Sequence, residues 1–462
     1  GGNYNVVVGD EAGTAITTGD QNTAVGYAAL DAENTGGGST AIGYYALSNQ
    51  DNDSASNYNT AVGTLAGLSV TTGIQNTLIG GLAGDALTTA NNNVAVGYDS
   101  LGANTTGANN TALGMTSLKS NTTGGQNVAL GLQTLYYNTT ASNNTALGHV
   151  AMTYNTTGAS NVAVGADALF TNTTASNNTA VGYQSLYANT TGTGNSALGK
   201  GSLAANTTAS YNTGLGENAL LANTTGASNT AVGNTALTAN TTAANNTAVG
   251  TSALRANTTG AYNVALGQNA LAANTTASQN TAVGAVSLDA NTTGGNNVAM
   301  GTSSLGLNTT GDNNTGLGTN ALGANTTAAN NVAVGFNSLV SNTTGYLNTA
   351  VGALALDANI TGVANTAVGY NALSAATGDG ATAVGKDALE LNTSGVNTAV
   401  GSNALATVTT GTANVAVGND ALTVNTAANN TAVGYSALTA NTTGTGNTAV
   451  GQGAGAAVTT GT

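Results

Sequence analysis

The chain has no cysteine, no proline and no tryptophan, and only 5% of its 462 residues are charged. Without cysteine there is neither a disulfide framework nor a thiolate metal site. Lys119, Lys200, Arg255 and Lys386 are the only basic residues, widely separated in a chain of net charge −14. Neutralising phosphates takes several bases close together, so nucleic acid is not an expected partner. No apolar run approaches the roughly 18 residues of a transmembrane helix, so no membrane insertion is expected of this segment. Disordered chains usually carry abundant charge and proline. Scarcity of both, with strictly periodic apolar residues, argues for order. No charged-then-apolar leader precedes the first repeat, which reads as a mature product or an ordered part of a longer chain.

What is present is repetition. The stretch from Asn110 to Asn127 reads N-T-A-L-G-M-T-S-L-K-S-N-T-T-G-G-Q before Asn recurs, and the whole sequence is variations on it. The Gly that closes each A-V-G-type triplet marks the unit. Its spacing is 17 without exception from Gly97 to Gly369, and 16 or 17 beyond. There are 27 such units, and a three-residue insertion near Asn49 to Asn57 reads as a longer surface loop. Repetition from end to end predicts a single repeat domain over 1–462, with atypical coils near 9–20, 63–90 and 451–462.

Helix is a poor fit. Each unit holds a mid-unit Gly and an N-T-T-G segment, leaving no more than about eight residues between breakers, below ordinary helix length. Two short strands per unit, T-A-V and x-A-L, joined by Gly and Asn-Thr-Thr turns, fit better. So small a coil buries no apolar face alone, whereas stacked coils share one core. The predicted fold is all-β: a rod-shaped parallel β-solenoid, or β-roll, of about 27 coils. At about 4.8 Å per coil it would be on the order of 130 Å long.

In the representative coil, Asn110, Leu113, Gly114, Leu118 and Asn121 are the predicted structural core and ladder. The aliphatic before the marker Gly and the Leu four residues after it are read as inward-facing. Four units replace that Leu by Gly (Gly13, Gly67, Gly84, Gly455), and in each the position three further on changes from Asn to an aliphatic (Ile16, Val70, Leu87, Val458). One apolar side chain is lost and another supplied, so both positions should face one interior. The usual Asn at that position, such as Asn104 or Asn121, is then an inward ladder of amides hydrogen-bonded along the stack.

Other motifs have plain structural readings. N-T-T at Asn104 and the N-N-T triplets containing Asn109, Asn144 and Asn177 are candidate N-glycosylation sites, but Asn and Thr also close turns. A threonine ice-binding grid is interrupted by Val94, Val128, Val162 and Val264. Loop acids Asp51 and Asp53 are a candidate cation site. His149 is the sole histidine, with no acid or second ligand beside it. Tyr27, Tyr44, Tyr98, Tyr183, Tyr370 and Tyr435 follow marker glycines at variable, outward positions, as adhesive contacts or as cover for the neighbouring coil.

Through N-T-A-V-G and its variants N-V-A-V-G, N-S-A-L-G and S-T-A-I-G, the chain resembles the head repeats of trimeric autotransporter adhesins. Similar A-V-G repeats occur in some large bacterial surface proteins and phage tail-fibre proteins. The resemblance covers all 27 units through about five letters of each, and the family's repeat is typically shorter. It implies a left-handed parallel β-roll with three chains side by side. The expected function is a structural extracellular or cell-surface fibre whose partner is another copy of itself, as a trimer or as an end-to-end filament. The last turn, V-T-T-G-T, and the first, G-G-N-Y-N-V-V-V-G, would together read as one more coil junction. The alternative is an adhesin head or tail-fibre segment that binds a host surface or glycan. No catalytic residue, metal site or cofactor is expected, and no binding residue is assigned.

Overall fold

The computed structural model describes residues 2–53, 56–393 and 395–461; Gly1 and Thr462, at the expected coil junction, lie outside them. The described residues hold 27 strands of three residues each and no helix. They belong to two compact units, Gly1–Asn229 and Thr230–Thr462. The first runs from β1 (Val6–Val8) to β13 (Thr213–Leu215), and the second from β14 (Thr230–Val232) to β27 (Thr448–Val450). Inside each unit successive strands pair in parallel at the same repeat position, as in Thr111↔Val128, Ala112↔Ala129 and Leu113↔Leu130. The second unit does likewise, with Thr247↔Val264 and its neighbours. Each unit is therefore a stack of β-solenoid coils, the architecture expected from the repeat.

Two local expectations are corrected. The x-A-L segment is not a second strand. Thr116 and Leu118 sit at φ 54° and 50°, in the left-handed region, and the segment forms a turn. The Leu118 amide donates to Thr134 O in the next coil (3.0 Å), and the Thr116 amide to Tyr98 O in the previous one (2.9 Å). Alternating handedness thus aims backbone donors both up and down the stack, which offsets the roughly 1–2 kcal/mol that each left-handed residue costs.

The second correction concerns which side chains are core. In a three-residue strand successive side chains alternate faces, so if the central one points inward the two outer ones point out. Ala112 is fully buried, while Leu113 is 46% exposed. Leu113 is not core. The core of each coil is the strand's central Ala, the Leu after the marker Gly (Leu118, 0% exposed) and the small residue preceding that Leu. Leu118→Ala is expected to lose roughly 2–5 kcal/mol, whereas Leu113→Ala should stay within roughly 0.5 kcal/mol in the isolated chain. Denaturant midpoints of the two variants check this.

Core volume is traded between neighbouring coils. Val70 and Leu87, which stand in the Asn column of the Gly67 and Gly84 coils, are fully buried. The strand between those coils carries Leu78 where Ala is usual. A Cβ on Gly67 would lie 2.7 Å from Leu78 Cδ1, and one on Gly84 2.9 Å from its Cδ2. Where Gly214 replaces the central Ala, Ser202 Oγ instead turns in and donates to Gly214 O (2.9 Å).

Two asparagine ladders run along the coils of the first unit, and the second unit repeats them. In the turn ladder, Asn121 Nδ2 donates to Asn104 Oδ1 (2.9 Å) and to Gly124 O (2.8 Å), and Asn121 Oδ1 accepts from Asn138 Nδ2 (2.8 Å). In the strand-entry ladder, the Asn110 amide donates to Asn93 Oδ1 (3.0 Å), and Asn110 Nδ2 donates to Gly124 O (2.9 Å). Asn93, Asn104, Asn110, Asn121 and Asn138 are all fully buried, and these amides are held by the neighbouring coils. The repeat is also paired. The residue after N-T-T-G donates its amide to the serine of the following N-T-T-A-S coil, as in Gly125 N to Ser142 Oγ and Ala159 N to Ser176 Oγ (both 3.0 Å). Between Gly107 and Gly362, Ala never occupies that turn position in two successive coils.

Candidate functional site

Because the interior is filled by Ala, Leu and Asn, any function belongs to the outer surface. Three features distinguish it. The first is the outward row formed by the third strand residue. In all 27 strands this residue is Val, Leu, Ile or Met, yet in none is it buried. In the first unit Ile42, Leu113, Leu147 and Leu198 are 39%, 46%, 44% and 48% exposed. In the second, Met300 is 45% exposed, with Val249, Val351 and Val400 also on the surface. The first strand residue, Thr or Val in every strand but β12 (Ser196–Leu198), flanks this row, so within each unit the outer sheet face is a strip of aliphatic carbon and Thr methyl groups.

The second feature is an aromatic cluster on the positions after Leu, in the first unit. Tyr136 meets Tyr137 edge-on (4.6 Å between centroids, 70°), and Tyr137 stacks on Tyr154 (5.3 Å, 15°). Tyr154 meets Phe170 edge-on (5.0 Å, 87°), and Phe170 stacks on Tyr187 (5.3 Å, 5°). Lys119 Nζ lies 5.8 Å over the Tyr136 ring and 2.7 Å from Asp99 Oδ2. That carboxylate, with its hydrogen bond, pushes the lysine pKa upward. The sequence signals this cluster only as aromatics crowded into variable positions between 136 and 187, where Tyr183 adds a sixth to the five of the cluster.

The third is the insertion. Glu33 occupies the Asn-ladder column in the coil before the loop and Gln50 in the coil that carries it, and both are fully buried. Glu33 accepts from Gly36 N (2.6 Å), Gln50 Nε2 (2.7 Å) and Asn57 Nδ2 (2.8 Å), and Gln50 Oε1 accepts from Asn59 Nδ2 (2.7 Å). Burial raises the Glu33 pKa, opposed by the Gln50 and Gly36 hydrogen bonds. A longer carboxylate and a longer amide thus bridge the ladder where the loop interrupts it. Asp51 and Asp53 lie on the loop surface, and no group of three or more metal-ligating side chains occurs among the described residues.

Of the sequon candidates, Asn104 and Asn144 are fully buried. Their amides are committed: Asn104 Nδ2 to Gly107 O (2.8 Å) and Asn144 Nδ2 to Gly158 O (2.9 Å). Neither is available to a glycosyltransferase in the folded chain. Asn109 is exposed, at φ 62°, and in the Asn144 coil it is Asn143 that holds the equivalent outward place. The tyrosines that follow marker glycines are exposed, from 37% at Tyr27 to 56% at Tyr435, as is His149. Compared with protein-family models and with curated proteins, the chain matches none.

Proposed function

We propose that the protein is a non-enzymatic structural fibre component of the cell exterior, whose partner is further copies of itself. The observation that carries this reading is the outward aliphatic row. A surface position of a lone soluble chain tolerates polar residues freely, and contiguous exposed apolar strips mark association surfaces. Here every one of 27 coils keeps an aliphatic or Met at a position that contributes nothing to its own core. Face-to-face packing of two or three such sheets would bury the row, as in sheet-on-sheet cores generally. The lack of cysteine and the low charge suit a persistent exterior fibre.

The test is the mass of the full chain in solution as Leu113, Leu130 and Leu147 are replaced together by Ser. The parent chain is expected to form a defined multimer by sedimentation. The variant should dissociate at concentrations at least tenfold higher than the parent while keeping its circular dichroism spectrum. A parent that stays monomeric at every concentration, without filaments in electron micrographs, overturns the reading.

A further inference from the structure

We propose that the aromatic cluster of the first unit is a saccharide-binding cleft for a single pyranose ring of a neutral glycan. The proposal stands apart from self-association, since the cleft lies on the after-Leu positions and not on the aliphatic sheet row.

The cleft exists because one coil breaks the aromatic column. The residue after Leu is Tyr136 in one coil, Thr153 in the next and Phe170 in the one after; the Leu itself is Met152 in the middle coil. Thr153 is 6% exposed, and its hydroxyl is used up by bonds to Val150 O (2.7 Å) and Gln133 O (3.1 Å). It forms a floor. Tyr136 and Phe170 are the two ends, and their far sides are covered by Lys119 and Tyr187 respectively. Tyr137 and Tyr154 form one long wall, and Gln133, Val150 and Asp167 the other, around a space of about 290 Å³.

The dimensions select the occupant. Ends two coils apart are separated by roughly 9.5 Å at ordinary interstrand spacing. A flat aromatic ligand touching both would need only about 7–8 Å, two carbon contacts of roughly 3.5–4.0 Å. The extra width suits a puckered, saturated ring. Its C–H faces would meet the aromatic rings, and its edge hydroxyls would meet the polar wall. Gln133 supplies amide donors and an acceptor, and Asp167 supplies acceptors. Neither side chain has a hydrogen-bond partner among the described residues. Beyond the Tyr137–Tyr154 ridge a second groove, lined by Ser120, Thr139, Thr156 and Thr173, gives the next sugar unit somewhere to lie.

The test is saturation-transfer NMR on the full chain with methyl pyranosides and neutral oligosaccharides of gluco, galacto, manno and N-acetylhexosamine types. Titration of tyrosine emission, which no tryptophan obscures, gives affinities. At least one sugar class is expected to show transfer to its ring C–H protons. Thr153→Tyr fills the gap with the ring-on-ring arrangement that Phe170 and Tyr187 already adopt, and should weaken binding at least tenfold without changing the circular dichroism spectrum. Gln133→Ala, a change at an exposed site, should weaken it by about threefold to tenfold. Absence of transfer from every sugar, binding that survives both substitutions, or preferential occupation by tetramethylammonium would each overturn the proposal.

Discussion

Asn121→Asp is expected to remove roughly 3 kcal/mol or more of stability at pH 7 from the coils around it, and much less at pH 3.5. The wild-type amide donates to Asn104 Oδ1 and Gly124 O and accepts from Asn138, all inside the stack. An ionised carboxylate there has no proton to give, faces two oxygens across former hydrogen bonds, and sits where no water reaches it. Burial and those oxygens raise its folded pKa above the unfolded value near 4. The sign follows: the penalty is smallest where the acid is protonated in both states, and grows as pH rises above the unfolded pKa. Because coils interact with their nearest neighbours, the loss should be local. Hydrogen exchange is therefore the proper readout, with protection lost in peptides spanning residues 104 to 155 and kept far from them. Asn121→Val should be milder, at roughly 1–2 kcal/mol. The same column already accommodates Val408, fully buried in a coil that retains Leu405.

Gly352→Ala should damage the second unit far more than Gly362→Ala, although the two glycines share a coil and the same immediate clash. A Cβ on Gly352 would lie 2.3 Å from Gly369 O, and one on Gly362 2.3 Å from Gly378 O. Overlap alone does not separate them. Backbone conformation does. Gly352 sits at φ 137°, a region essentially closed to residues with a side chain. Gly362 has an ordinary negative φ, and its place is taken by Ala141, Ala175, Ala209 and Ala328 in other coils. The stack relaxes around a methyl there. At the marker Gly relief requires rotating the peptide that carries the strand's last hydrogen bond, Gly352 N to Val334 O (2.7 Å). Gly352→Ala is expected to cost roughly 3 kcal/mol or more, and Gly362→Ala no more than about 1 kcal/mol. Thermal unfolding of the two purified variants compares them directly.

These contrasts show where the sequence was legible. The 17-residue spacing sufficed for the parallel solenoid, since no other stacking buries a face so small. Leu118 and Asn121 could be placed because four coils exchange an apolar side chain between their columns. Two things hid Leu113. Its uniform aliphatic identity looks like core, and only the three-residue length of the strand, which puts Ala112 inward, reveals otherwise. The x-A-L segment has strand-like composition, while its backbone alternates into the left-handed region to reach both neighbouring coils. Asn110 could be assigned to core and ladder from its recurrence, but its bond to Asn93, like the pairing of Ser142 with the preceding coil, joins residues a full turn apart, which no local pattern displays. The cleft over Thr153 was invisible for a related reason: it is made by one small residue among aromatics in adjacent coils.

The outward place of Leu113 is also what carries the functional proposal. An outward residue that stays aliphatic in all 27 strands is not required by the core of one chain, and the proposal gives it a role in burial against another copy. The most direct measurement is an electron cryomicroscopy map of the native particle at a resolution that separates the coils. The expected result is side-by-side solenoids with Leu113, Leu130 and Leu147 of one chain buried against the sheet face of another. A particle in which that row faces solvent along its length, whatever its other contacts, would contradict the account.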